Sequence, residues 1–400
     1  MDTITHGIAG ALLAKAFFDG DDLFTFRPYS QARLVTFAAT LGAVFPDSDV
    51  LLDFVSRDPL RIITWHRGIT HSFVFMPLFA VVLAWLTHGI ARRTGREAPS
   101  LALLSLLAGI GIASHIFLDL LTNYGTMIWS PVKWSRPAWD LLFIVDFTFS
   151  ALLLLPQVLA ALCARREVLT RRAIRAWCIC FALAFLIWRL ALGAGYPFSP
   201  VTFVAIGATL FALFILPAIR GWGLTVERRS WCRAGTLCVA AYLVLAAFAH
   251  HAARRRTEQF ASSERLDVQS LAALPLPPSV FHWNGLVLTP RGVYEKRMDV
   301  SALLWPGSPA GPEQPEPIEY RYYPDALPNP TIAAARELPE VRSVLWFARF
   351  PVIRSWEEGS ETVVEIEDVR FSDGNRRPAA FTYRVRFDAA GHVLSKGWRR

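Results

Sequence analysis

Cysteine is scarce in this chain: the five residues are Cys163, Cys178, Cys180, Cys232 and Cys238, so the C-terminal third has none and must fold without disulfides. Cys178 and Cys180 stand two apart, nearly on opposite faces of a helix, which argues against a metal-binding pair. The N-terminal MDTITHGIAGALLAKAFFDGDD lacks a basic start and carries Asp2 and His6, so a cleaved signal peptide is not expected. No internal repeat is visible. The C-terminal third holds no nucleophile triad, Gly-rich phosphate loop or metal motif.

Apolar residues are plentiful, 53% of the chain, and concentrate before residue 253. Stretches 72–91, 100–122, 142–162, 174–194, 200–219 and 235–252 are long enough to cross a hydrocarbon layer about 30 Å thick. Two shorter ones, 5–18 and 34–46, suit short, tilted or partly buried helices. The expected fold is an all-α polytopic membrane helical bundle of about 6–8 membrane helices over 1–252, followed by a soluble α+β domain over 257–400.

The net charge of +8 is mostly arginine, but its placement excludes a nucleic-acid surface. The basic residues lie between apolar stretches: Arg92, Arg93 and Arg96, then Arg165, Arg166, Arg171, Arg172 and Arg175, then Arg220, Arg228, Arg229 and Arg233. These connections alternate, as the positive-inside bias predicts for cytoplasmic loops. Residues 47–71, 123–141 and 195–199, both termini and the C-terminal domain are then expected outside, with Arg254, Arg255 and Arg256 the one feature against it.

In the C-terminal region, LPLPPS (274–279) and WPGSPAGPEQPEP (305–317) read as loops or linkers. FHWNGLVLTP and GVYEKRMDV flank a turn at 290–292, while TVVEIEDVRF and FTYRVRFD alternate with period two, ahead of a turn into HVLSKGW. The pattern predicts an antiparallel sheet with a short helix over 339–349. His282 and His392 read as ordinary surface or packing histidines.

The polar constellation lies in the membrane half. VFPDSDVLLD places Asp47 and Asp49 after an apolar helix, and TWHRGITHSF places His66, Arg67 and His71 before another. In ASHIFLDLLTNYG, His115 and Asp119 are four apart, so both project from one helix face. Singly, each group fits a packed histidine or a solvated carboxylate. Together, on the topology above, they fall at one membrane level, where the cost of intramembrane polar groups is offset by a shared metal. A mixed His and Asp shell suits zinc, manganese or iron better than calcium. Small residues in GIGIASH let neighbouring helices approach closely. Arg67 would hold an anionic group of a substrate. Asp146 is a further carboxylate that either supports the ligands or joins them, whereas His88 falls at the other end of its span.

THGIAG, FPDSD, HRGITHS and SHIFLDLLTNYGT together resemble the bacterial membrane-bound metal-dependent hydrolases, the family that includes a LexA-regulated inner-membrane protein. The motifs cover about residues 1–150. The pattern is also distantly similar to zinc-dependent phospholipase C. Carried over by position, the resemblance implies His6, Asp47, Asp49, His66, His71, His115 and Asp119 as metal ligands, with Arg67, Thr70, Thr122 and Tyr124 nearby. A further His-x3-Glu/His helix is missing, so a mononuclear or dinuclear centre is expected.

These readings converge on a multi-pass hydrolase of the bacterial inner (cytoplasmic) membrane with an extracytoplasmic C-terminal domain. It is expected to use a divalent metal, zinc or else manganese or iron, on a membrane lipid or lipid-linked phosphodiester or other ester; no protein partner is indicated. Asp49 or Asp119 takes the proton of the attacking water and Arg67 holds the anion. Two rivals remain: a transporter with a path through Asp119, Asp146 and Arg189, and a silent scaffold with a structural metal.

Overall fold

The computed structural model describes residues 1–18, 31–54, 56, 58–163, 169–193, 199–221, 226–277, 280–301, 320–372 and 380–399. Helix α1 (Thr3–Phe17) starts where Asp2 accepts a hydrogen bond from the Thr5 amide at 2.9 Å. Helix α2 (Gln31–Val44) ends at Phe45 and Pro46, where the chain bends into a 3₁₀ segment, Pro46–Phe54. A single turn α3 (Arg61–Thr64) and a 3₁₀ turn (Ile69–His71) precede α4 (Met76–Arg93). Then come α5 (Leu101–Leu120), α6 (Phe147–Cys163), α7 (Leu169–Gly193), α8 (Pro200–Arg220) and α9 (Arg228–Ser263).

Helix α5 packs against α2 and α4, α1 against α2 and α9, α6 against α9, and α7 against α8. Glycine brings α2 and α5 into backbone contact: a Cβ on Gly42 would lie 2.2 Å from the Ala108 carbonyl oxygen, and one on Gly111 2.2 Å from that of Ala39. The small residues of GIGIASH do what their sequence suggested.

Four of the described helices are long and apolar enough to cross a membrane, or up to six if two bent pairs each count as one span. That range touches the expected six to eight only at its lower bound, and helix length explains why the described helices go no higher. At about 1.5 Å per residue, the 15 residues of α1, 14 of α2 and 17 of α6 fall short of a hydrocarbon layer of about 30 Å. The turn expected at 195–199 and the linker at 305–317 lie outside the described residues, apart from Ser199.

The boundary expected between 252 and 257 falls inside α9, whose 36 residues continue as one helix beneath the C-terminal domain. There Arg256 donates to the Asp299 carbonyl at 2.6 Å and Arg254 pairs with Glu258 at 3.1 Å, so two of the three anomalous arginines have partners at this joint.

The C-terminal domain has two four-stranded antiparallel sheets instead of the single sheet expected. The first runs β1 (Ser270–Pro275), β2 (His282–Thr289), β3 (Gly292–Asp299), β4 (Arg321–Pro324) in spatial order. Helices α10 (Pro330–Glu337) and α11 (Pro339–Phe347) then interrupt the meander. The chain resumes in a second sheet, β5 (Pro351–Glu358), β6 (Glu361–Asp368), β7 (Thr382–Phe387) and β8 (Val393–Trp398). Helix α11 is the helix expected near 339–349. The two sheets share a core in which Leu286, Val293 and Tyr323 meet Phe350, Val352 and Val369. His282 and His392 each have a carboxylate neighbour, Asp299 at 3.5 Å and Asp388 at 3.1 Å, and both are exposed.

Candidate metal centre

Four helix ends and two turns meet at one end of the bundle. The start of α1 brings His6, the 3₁₀ segment after α2 brings Asp47 and Asp49, the turns before α4 bring His66, Arg67 and His71, and the last turn of α5 brings His115 and Asp119. His6, His71, His115 and Asp119 are fully buried.

Asp47, His71, His115 and Asp119 each offer one donor atom to a group in which all four atoms lie within 4.8 Å of one another. The two Nε2 atoms are 3.1 Å apart. Asp119 Oδ2 lies 3.3 Å from His71 Nε2 and 3.5 Å from His115 Nε2. Asp47 Oδ1 lies 3.6 Å from His71 Nε2 and 3.4 Å from His115 Nε2. Four ligands at about 2.0–2.1 Å around a tetrahedral ion are separated by edges of about 3.3 Å. Five edges of this group match that figure.

The hydrogen bonding behind the imidazoles points the same way. His115 Nδ1 lies 2.6 Å from the Ala43 carbonyl oxygen, which can only accept, so Nδ1 carries a proton and, in the neutral ring that a metal would require, Nε2 a lone pair. His71 Nδ1 lies 3.0 Å from the Thr70 hydroxyl, whose own proton goes to Asp49 Oδ2 at 3.2 Å, and the same tautomer follows. Two imidazole lone pairs and Asp119 Oδ2, which has no hydrogen-bond partner, therefore converge in a buried space. Lone pairs facing one another repel unless a cation sits between them. The donor chemistry fits a divalent metal.

Asp119 Oδ1 faces the other way, toward Arg67 Nη2 at 3.0 Å, His6 Nε2 at 3.3 Å and the Met1 amino group. Arg67 is 2% exposed and has φ +61°, a left-handed conformation that costs a non-glycine residue on the order of 1 kcal/mol and recurs at functional sites. Its backbone amide donates to Asp49 Oδ2 at 3.2 Å and its Nη1 to the Thr122 hydroxyl at 2.9 Å. Asp49 also faces His66 Nδ1 at 3.0 Å, and this pair sits at the rim, His66 being the more exposed. His6 stacks on His115, ring centroids 3.6 Å apart, and neither of its nitrogens has a hydrogen-bond partner.

All seven ligands implied by the resemblance are therefore close together: four form the tight group, while His6, Asp49 and His66 surround it. Both Nη atoms of Arg67 are engaged by Asp119 and Thr122, which leaves Nε as its one unpartnered nitrogen. Asp146 caps α6, accepting from the Phe149 amide at 2.9 Å and from the Tyr242 hydroxyl at 2.7 Å, and is not part of the group. Arg189, the far end of the rival transport path, is exposed on α7. Sequence reasoning missed the Ala43 carbonyl, a backbone atom without a residue-type signature. It also missed Thr3, whose hydroxyl donates to Asp47 Oδ2 at 2.5 Å, although a Thr three positions before His6 is visible in the sequence.

No curated protein and no solved structure matches the chain. Residues 1–196, which hold the four members of the group together with His6, Asp49, His66 and Arg67, match the family model of the YdjM inner membrane protein. Together with the apolar helices, that match marks an inner-membrane protein whose first half is similar to the YdjM inner membrane protein family.

Proposed function

We propose that the chain is a multi-pass, metal-dependent hydrolase acting on a phosphodiester or other ester of a membrane-associated substrate. The observation that carries this reading is the set of edges of 3.1–3.6 Å among the donor atoms of Asp47, His71, His115 and Asp119. Zinc suits that shell best, with manganese or iron as alternatives. When bound, the ion supplies a hydroxide nucleophile near neutral pH and neutralises charge on the attacked group.

The residues around the group divide the remaining work. Asp49, beside the four donors but outside them, accepts the proton of the attacking water. His66 holds Asp49 from the rim through Nδ1. Arg67 aligns Asp119 through Nη2, and its charge favours an anionic ester at this end of the bundle.

The centre's depth supports a lipid or lipid-linked substrate. Trp65, Trp129, Trp134 and Trp139 are exposed in the connections at its end of the bundle, beside exposed Val50, Leu51, Leu52 and Val132. Tryptophans in such positions belong to the membrane–water boundary. At the opposite end, Arg92 and Arg93 close α4, while Arg229 and Arg233 donate to the terminal carbonyls of α1. By the positive-inside bias that end is cytoplasmic, and the centre and the C-terminal domain face outward.

The test is hydrolysis of a panel of phospholipids and lipid-linked phosphates by detergent-purified protein. Asp49→Asn should keep its metal and lose at least about a hundredfold in turnover, the scale of a removed general base. A metal-free wild type that dissipates an ion gradient in vesicles would instead select the transporter.

A further inference from the structure

The C-terminal domain lies against the candidate centre, and Tyr124 is the plate between them. Toward the centre, its ring meets the Arg67 guanidinium at 4.9 Å and the His66 ring at 5.8 Å. Toward the C-terminal domain it meets Phe347 at 5.1 Å, Phe381 at 6.0 Å and Phe371 at 6.3 Å. Its hydroxyl donates to the Ile62 carbonyl, which can only accept. Leu60, Ile63 and Tyr124 from the membrane half share one apolar cluster with Val341, Val344 and Phe347.

Two arginines extend this contact. Arg370, buried against Asp368 at 2.7 Å, donates Nη1 to the Asn123 carbonyl at 2.7 Å and Nη2 to the Phe347 carbonyl at 2.9 Å. Asn123 follows Thr122, whose hydroxyl accepts from Arg67 and donates to the Asp119 carbonyl at 2.8 Å. Arg349 grips Asp140 with two bonds of 2.8 and 2.9 Å. On either side of Asp140, the Trp139 and Leu141 amides donate to the carbonyls of Leu120 and Leu121, the residues just after Asp119. The segment that delivers Asp119 and Thr122, and through Thr122 holds Arg67, is thus fastened from outside by residues beyond position 196, where the family match ends.

We propose that the C-terminal domain forms the outer wall of the metal centre, with Tyr124, Arg349 and Arg370 as positioning residues that set its affinity for divalent metal. This rests on the metal reading of the Asp/His group. Coupling of this kind is reciprocal: metal must tighten docking of the domain by the factor with which docking tightens the metal.

The test is zinc affinity of the full-length protein in detergent, by competition with a chelator. Arg349→Ala and Tyr124→Leu should each weaken zinc by roughly tenfold, the low end for residues behind metal ligands. Tyr124→Phe, which keeps the ring, should restore most of that loss. Lys396→Ala, on the outer face of the domain, should leave affinity unchanged. A merely structural role would lower the thermal midpoint of the variants without moving the zinc affinity of the folded protein. Arg370 is buried and its loss can unfold the domain, so half-exposed Arg349 carries the test if Arg370→Ala does not fold. Wild type that binds zinc while Arg349→Ala and Tyr124→Leu bind it equally well overturns the wall alone. Wild type that binds no zinc overturns the metal reading and the wall together.

Discussion

The two halves of the molecule bury charge in opposite ways. Among the described residues of the C-terminal domain each buried carboxylate has its partner: Glu295 accepts from Asn284 and Tyr323, Glu365 from Arg384 and Arg399, Glu367 lies against Arg354, and Asp368 against Arg370. At one end of the membrane half a cluster of buried charged and imidazole groups converges, and there both His6 nitrogens, Asp119 Oδ2 and Arg67 Nε are left without hydrogen bonds. A network whose charges are paired is explained by folding alone, even where a neutral acceptor such as Asn284 Oδ1 is left over. A converging, unsatisfied one calls for a further ligand.

The sharpest way to break this contrast is to remove Asp119. Asp119→Ala strips a donor from the group and leaves Arg67 and His6 buried without their carboxylate, at a cost of about 3–5 kcal/mol, the range for breaking a buried pair. Thermal unfolding and metal content should fall together. Glu365→Ala is the matching change in the C-terminal domain. It should lower the domain's stability by about 1–3 kcal/mol, because Arg384 and Arg399 can turn to water, and metal content should stay constant. Gly111→Ala matches the Glu365 change in stability but, unlike it, acts on the metal group. Its new methyl meets the Ala39 carbonyl, so α2 must shift, at a cost of about 1–3 kcal/mol. That shift draws the Ala43 carbonyl away from His115, and zinc affinity should drop while both sheets keep their amide protection.

The smallest effect should come from the exposed pair of Lys396 and Glu340, 2.6 Å apart. The hydrogen bond from Lys396 holds the Glu340 carboxyl below its usual range, so its contribution is present at neutral pH and is lost as pH falls through the carboxylate range. Being exposed, it is worth no more than about 0.5 kcal/mol. Lys396→Ala should barely move a thermal midpoint at pH 7 and not at all at pH 3.

How far the sequence revealed all this depended on how local the signal was. His115 and Asp119 announced themselves because a spacing of four fixes a shared face whatever the helix packs against. Asp47, His66 and His71 were legible at the ends of apolar stretches, and the period-two pattern of β6 and β7 was plain. The split into two sheets was not, since it depends on α10 and α11 inserting between strands that pair only after folding. Nor was the role of Asp146: a carboxylate just before a helix reads alike whether it caps that helix or serves a metal. The bracing of Asn123 by Arg370 spans 247 positions and leaves no trace in either segment alone.

The central claim is that Asp47, His71, His115 and Asp119 enclose a cation, and elemental analysis of detergent-purified wild type beside His115→Ala tests it most directly. One divalent ion per chain is expected in wild type, retained through exhaustive buffer exchange and missing from the variant, with the helix content of both alike. Wild type that is free of metal after growth in zinc-replete medium, and that takes up none on titration, would contradict it.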